Sequence, residues 1–280
     1  MRRPATLAAL AVALLAAGCG SSNTHSSRPA VAAYVNRVNT IEKLLAPPLK
    51  AVTVAGSKLP ASTTTVNHGE IASLRQADIR MIALRDRLAA ISVPSAAARL
   101  RILVLLLAGG EIDMTNELSE LFSFLPQYTA ALKQLAPATT LLRTALAGKG
   151  GASTSSAARG ILDAKARALT RYDTELEPLS RMLERLSPPA VARPQYETEL
   201  HALTSMETTA AALAQALQSA SSDIPARLAA FDRAAVLTDT VPAQRAEITA
   251  VKAYDARIER LNELAGQVAS QRLSLEQTLG

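Results

Sequence analysis

The chain holds one cysteine, no tryptophan, three histidines and only 12 glycines, and aromatic residues make up 3% of it. A single thiol excludes any internal disulfide, so stability has to come from apolar burial; with hydrophobic residues at 49% that is feasible. Three histidines and no second cysteine leave few ways to build a metal centre. Motifs of nucleophilic catalysis (Gly-x-Ser-x-Gly, Ser-x-x-Lys) and the HExxH metal motif do not occur. Gly148, Lys149 and Gly150 lack the spacing of a phosphate loop and follow no strand. Lysine and arginine form no block interleaved with aromatics, which argues against nucleic acid. Long β-branched alternating runs are also missing.

What remains is rich in Ala, Leu, Arg, Glu and Gln, all good helix formers. The expected fold is therefore all-α, a multi-helix bundle of long amphipathic helices in two similar halves. The first residues differ from the rest. Arg2 and Arg3 precede an apolar stretch, Leu7 to Ala17, and small residues then lead into Cys19. That is the layout of a secretory signal peptide, with an apolar stretch short of the ~20 residues needed to span a bilayer.

The sole cysteine sits where cleavage would make it the new N-terminus. In "LAAGC", Leu15 to Cys19, the sequence resembles the lipobox of bacterial lipoproteins, with Leu15 one place earlier than that family's usual leucine. The resemblance implies cleavage before Cys19, a diacylglycerol thioether on Cys19 and attachment to a membrane on its extracytoplasmic face. The Ala, Arg and Leu richness is similar to that of lipoproteins from high-GC bacteria such as actinobacteria. Removal of residues 1–18 would lower the formal charge from +6 to +4, a modest surplus.

Boundaries follow from composition. Residues 1–18 are the expected signal peptide and 19–30 a polar tether that includes His25. Residues 31–147 form a first helical half, 148–156 a Gly/Ser linker and 157–280 a second half. In the first half an apolar stripe of Val31, Tyr34, Val38, Ile41 and Leu45 marks a helix that "APP" at 46–48 should kink, with a loop over 57–67. Asn67 and Glu70 have capping-box spacing at the start of the next helix, which Pro94 ends. A third helix follows, with Ile102–Ala108 apolar all round and expected to be buried on every side; Gly109 and Gly110 point to close packing. Pro126 should open another helix, interrupted at Pro137.

In the second half, helices are expected over 157–186, with a kink at Pro178, and from the "SPPAVARP" turn to about Ala220. A short helix follows Asp223, and a long one runs from Pro242. That last helix carries a heptad seam of Val251, Tyr254, Ile258, Leu261, Ala265, Val268, Leu275 and Leu279, with Arg272 as its one intruder. A shift of 95 residues places Leu84, Leu88, Pro94 and Ala97 on Leu179, Leu183, Pro189 and Ala192, the signature of an internal duplication.

Candidate functional residues are few. Glu197 and His201 are four apart on one helix and suit a surface ion pair, and no metal or cofactor is expected. Asp113, Glu117 and Glu120 share a helix face near Glu111 and suit a solvated acidic patch. All five tyrosines precede aliphatic residues by four and seven places, so they belong in helix seams; Met81, Met114, Met182 and Met206 suit the core. Cys19 is thus the one assigned site, for lipidation. The expected protein is a membrane-anchored, non-enzymatic structural or protein-interaction module of the cell envelope, with an envelope protein as partner. The alternative is a ligand- or lipid-binding lipoprotein associated with transport, using an apolar gap around 102–110.

Overall fold

The computed structural model describes residues 28–59, 65–147, 154–237 and 241–279. Cys19, His25 and most of the 148–156 stretch lie outside the described residues. The chain is all-α: α1 (Arg28–Lys58), α2 (His68–Ala89), a 3-10 turn (Ser95–Ala97), α3 (Ala98–Ala147), α4 (Ser155–Glu184), α5 (Arg193–Ser219), α6 (Ile224–Leu237) and α7 (Val241–Leu279). No helix among the described residues is long and apolar enough to cross a membrane.

Local chemistry sets several helix ends. The Asn67 side chain accepts from the Glu70 amide at 3.2 Å to start α2, and Thr154 does the same for the Ala157 amide at 3.2 Å to start α4. Ala220, at φ 49°, closes α5 in the left-handed conformation. Arginines satisfy carbonyls beyond their own helices: Arg101 donates to Ala89 O and Arg159 to Gln218 O, each at 2.7 Å.

Proline interrupts less than its chemistry suggests. α1 runs through Pro47 and Pro48, and α4 runs through Pro178. α3 is one helix across Pro126 and Pro137, where a new helix and a break were expected. A proline in a helix interior costs about 3 kcal/mol. Burial of Phe122, Phe124 and Tyr128 around the first of these offsets it, at roughly 1.5–3 kcal/mol for each large side chain.

The chain divides into two compact units. Unit one takes the described residues up to Ser123 together with those from Ala253; unit two takes Phe124–Lys252. Both divisions fall inside helices, α3 and α7, rather than at the Gly/Ser stretch that separates the expected halves 31–147 and 157–280. A continuous helix can serve two cores in succession, so a low-complexity loop need not mark the edge of either.

In unit one, α1 packs on α2. One core cluster gathers Val31, Val38, Leu88, Leu100, Val268 and Leu275, and a second gathers Ala55, Ile71, Leu74, Leu118 and Phe122. The starts of α1 and α3 therefore lie with the ends of α2 and α7. In unit two, α4 packs on α5 and α5 on α6 around Leu169, Leu176, Met206 and Leu213. The shift of 95 residues carries the whole buried stripe of α2 (Ile71, Leu74, Ala77, Met81, Leu84, Leu88) onto that of α4 (Ala166, Leu169, Tyr172, Leu176, Leu179, Leu183). The repeated pattern thus extends to which residues each unit buries.

The 102–108 run is not buried on every side. Leu103, Val104 and Ala108 face the core, while Ile102 is 58% and Leu106 55% exposed. Residues four apart share a helix face, and this face turns to solvent. Gly110 does mark close packing: a Cβ there would overlap Leu261 Cδ2, while at Gly109 it would meet nothing within 4 Å.

Candidate functional site

The residues that break the apolar pattern of unit one come together. Along α3 the core positions are Val104, Ala108, Glu111, Thr115, Leu118 and Phe122, a heptad spacing in which Glu111 and Thr115 hold places meant for apolar side chains. On α1 Glu42 follows Val35 and Val38 and precedes Leu45 in the same spacing; on α7 Arg272 lies between Val268 and Leu275. The Arg272 guanidinium pairs with the Glu42 carboxylate, at side-chain exposures of 22% and 19%. Glu111 is buried close enough to Glu42 for the two charges to repel. The intruder in the α7 seam is thus the cation of a polar layer.

Electrostatics follows from that count of charges. The layer holds one guanidinium, bonded to Glu42, and two carboxyls. Burial, and then the Glu42 charge, push the Glu111 carboxyl up to about 7. Burial also raises Glu42, opposed by the charge and the hydrogen bond of Arg272. The Thr115 hydroxyl donates back to Glu111 O at 2.8 Å. Asn39 Oδ1, one turn before Glu42, and Arg272 Nε are buried without a hydrogen-bond partner. With its carboxyl at about 7, Glu111 takes up a proton as pH falls through neutrality, which relieves the surplus negative charge.

A second polar contact lies further along. Glu117 is buried, with Arg257 of α7 bonded to its carboxylate. Burial first, and then Glu117, raise the nearby Tyr254 hydroxyl. Asp78 of α2 is hydrogen-bonded by Asn116 but has its Oδ1 buried without a partner; burial raises its carboxyl. The expected solvated patch is therefore corrected. Asp113 and Glu120 are exposed, while Glu111 and Glu117 are core residues. Helical spacing placed Glu117 beside Asp113 and Glu120, but Glu117 lies on a covered side of α3 where Arg257 of α7 reaches its carboxylate.

Unit two has an aromatic cluster in place of a charged layer. Phe124 stacks on Tyr128 at 5.0 Å between centroids, and Tyr196 meets Phe124 edge-on at 5.9 Å. The Tyr196 hydroxyl donates to Leu183 O at 2.6 Å and the Tyr128 hydroxyl to Glu199. The tyrosines are divided between units, Tyr34 and Tyr254 in one and Tyr128, Tyr172 and Tyr196 in the other. Met81 and Met206 are core residues as expected, whereas Met182 is 38% exposed, on a side of α4 that faces outward.

The remaining sequence candidates stand apart. His68 at the start of α2, and Glu197 and His201 on α5, are exposed, and no ion pair joins the latter two among the described residues. No group of three or more His, Cys, Asp or Glu collects to hold a metal among the described residues. A shallow groove of about 500 Å³ is lined by Arg99 and by Glu263, Gly266, Gln267, Ser270 and Gln271 of α7. Another of about 480 Å³ lies along α4 by Glu177, Pro178 and Arg181. No protein-family model, curated protein or solved structure matches the chain.

Proposed function

We propose that the protein is a lipid-anchored, extracytoplasmic helical module, acylated at Cys19 and acting without catalysis as a structural or protein-interaction element of the cell envelope. The observation that carries this is the chain's one cysteine at the end of "LAAGC", behind a positive and then apolar leader. Packing supports a scaffold over a carrier: within 102–110, where an apolar gap was expected, the space beside Gly110 is taken by the Leu261 side chain. The charged layer is occupied by its own ion pair.

Intact mass of the protein extracted from bacterial membranes tests the anchor. The expected species begins at Cys19 and carries a diacylglyceryl group, and the Cys19→Ala chain lacks it. A native protein with a free, unmodified thiol overturns the reading. For the scaffold role, in-cell cross-linking is expected to capture a reproducible envelope protein; none in the cross-linked material, together with a bound small molecule in native mass spectrometry, favours the carrier.

A further inference from the structure

The charges of unit one are unevenly placed along its length. At the end where α1 and α3 begin and α2 and α7 finish, Arg37, Arg87 and Arg99 are exposed and Arg28 is half-buried, against Glu276, Glu263 in the groove beside Arg99, and Asp86, which Arg85 engages at 2.9 Å. At the opposite end the exposed Asp113, Glu120, Asp255 and Glu259 offset Lys50, Arg75 and Arg260. The basic end also carries large exposed apolar side chains: Ile102 and Leu106 on α3, and Leu273, 53% exposed, on α7. Unit one also exposes Leu44, Val54 and Ile79, so what distinguishes this end is the combination: Ile102 and Leu106 share one side of α3 with the exposed Arg99, three and seven residues before them.

The chain itself indicates what this end meets. Arg28, the first residue of α1, follows Cys19 by nine residues, which can span at most roughly 30 Å fully extended. The basic end is therefore the part of unit one that begins nearest a lipid on Cys19. The diacylglyceryl group read for Cys19 supplies two acyl chains and keeps the chain at a bilayer, and basic residues near the surface add an electrostatic attraction to anionic headgroups.

We propose that this end of unit one docks on an anionic phospholipid surface, with Arg37, Arg87 and Arg99 meeting headgroup phosphates and Ile102, Leu106 and Leu273 entering the interface. The proposal rests on the reading that Cys19 delivers the chain to a membrane. Its consequence is a tethered module with one fixed face rather than a freely rotating one.

The test uses the full chain with Cys19→Ser and one new cysteine carrying an environment-sensitive fluorophore, at Leu106→Cys or, as a control at the other end, Val54→Cys. Both positions are exposed, so both variants fold. Vesicles of phosphatidylcholine alone and with phosphatidylglycerol are added. The apolar leader can draw the chain to either composition, so the comparison between probes and compositions carries the result. The expected outcome is a blue shift at 106 on anionic vesicles and none at 54. Arg87→Glu with Arg99→Glu should raise the lipid needed by at least about ten-fold, and added salt should raise it likewise. Equal shifts at both probes, no shift at 106, or indifference to the double reversal overturns the proposal. Because Cys19 is absent from this chain, the outcome is independent of acylation; an unmodified Cys19 in the native protein would defeat the anchor and leave the vesicle result standing.

Discussion

Units one and two bury the same pattern of positions and fill it with different chemistry. Under the shift of 95 residues, Glu111 and Thr115 of α3 correspond to Met206 and Ala210 of α5, all four buried. Unit two closes its core with apolar and aromatic side chains. Unit one places an arginine and two carboxyls in its own. Continuum reasoning makes such a layer a weak stabiliser at best, since removing ions from water costs about what their attraction returns. The layer limits which neighbours α1, α3 and α7 can accept, because any other pairing leaves a buried charge alone.

The sharpest way to break the comparison is to exchange the two chemistries. Met206→Glu puts a carboxyl in a core without a cation, and at pH 8 unit two should lose about 4 kcal/mol, through lost apolar burial and forced protonation. Urea denaturation followed by circular dichroism measures it; a loss under about 1 kcal/mol would mean that the unit two core can admit charge.

Removing one partner of the Glu117–Arg257 pair comes next. Arg257→Ala leaves a carboxylate that is 6% exposed and should cost about 3 kcal/mol in the same assay. Replacing both, by Glu117→Leu with Arg257→Leu, should recover most of that loss.

The pH dependence separates the units more gently. The Glu111 carboxyl is higher in the folded state than its ordinary value of 4.5, at about 7, so its stabilisation is complete below pH 4.5 and lost as pH rises through 7. Between pH 5 and pH 8 unit one should lose roughly 2–3 kcal/mol from this group, and Glu42, raised in the same direction, adds to it. The Glu111→Met chain, carrying unit two's residue, should lose less over that range. An unchanged slope in parallel denaturation series would refute the assignment.

The smallest effect concerns the paired glycines. Gly109→Ala should stabilise α3 by about 1 kcal/mol, since its Cβ meets open space. Gly110→Ala should forgo that gain because Leu261 must move aside. Thermal melts of the two variants side by side decide it.

Much of this architecture was legible in advance, and the exceptions have physical causes. The capping by Asn67, the start of α6 after Asp223 and the Leu261, Val268 and Leu275 part of the α7 seam are local patterns that survive into the fold, while the side chains of Val251 and Leu279 lie outside the described residues. Pro126 was misleading because its cost is local while the burial that offsets it, around Phe122 and Tyr128, is tertiary. Ile102 and Leu106 were misleading because an uninterrupted apolar run has no phase from which to read a face. The charged layer lay between these cases. Arg272 stood out in its seam, and heptad spacing could have marked Glu42 and Glu111, but no pattern within one helix indicates that residues 230 apart are partners.

Helices α3 and α7 each cross from one unit's residues into the other's. A nick between residues 148 and 153 would therefore give two fragments, neither of which contains all the segments of a unit. Each piece would hold helices of both cores: the first lacks the α7 portion of unit one, and the second lacks the α3 portion of unit two. Such pieces are suited to reassemble on mixing, as a split reporter does, rather than to survive as independent domains.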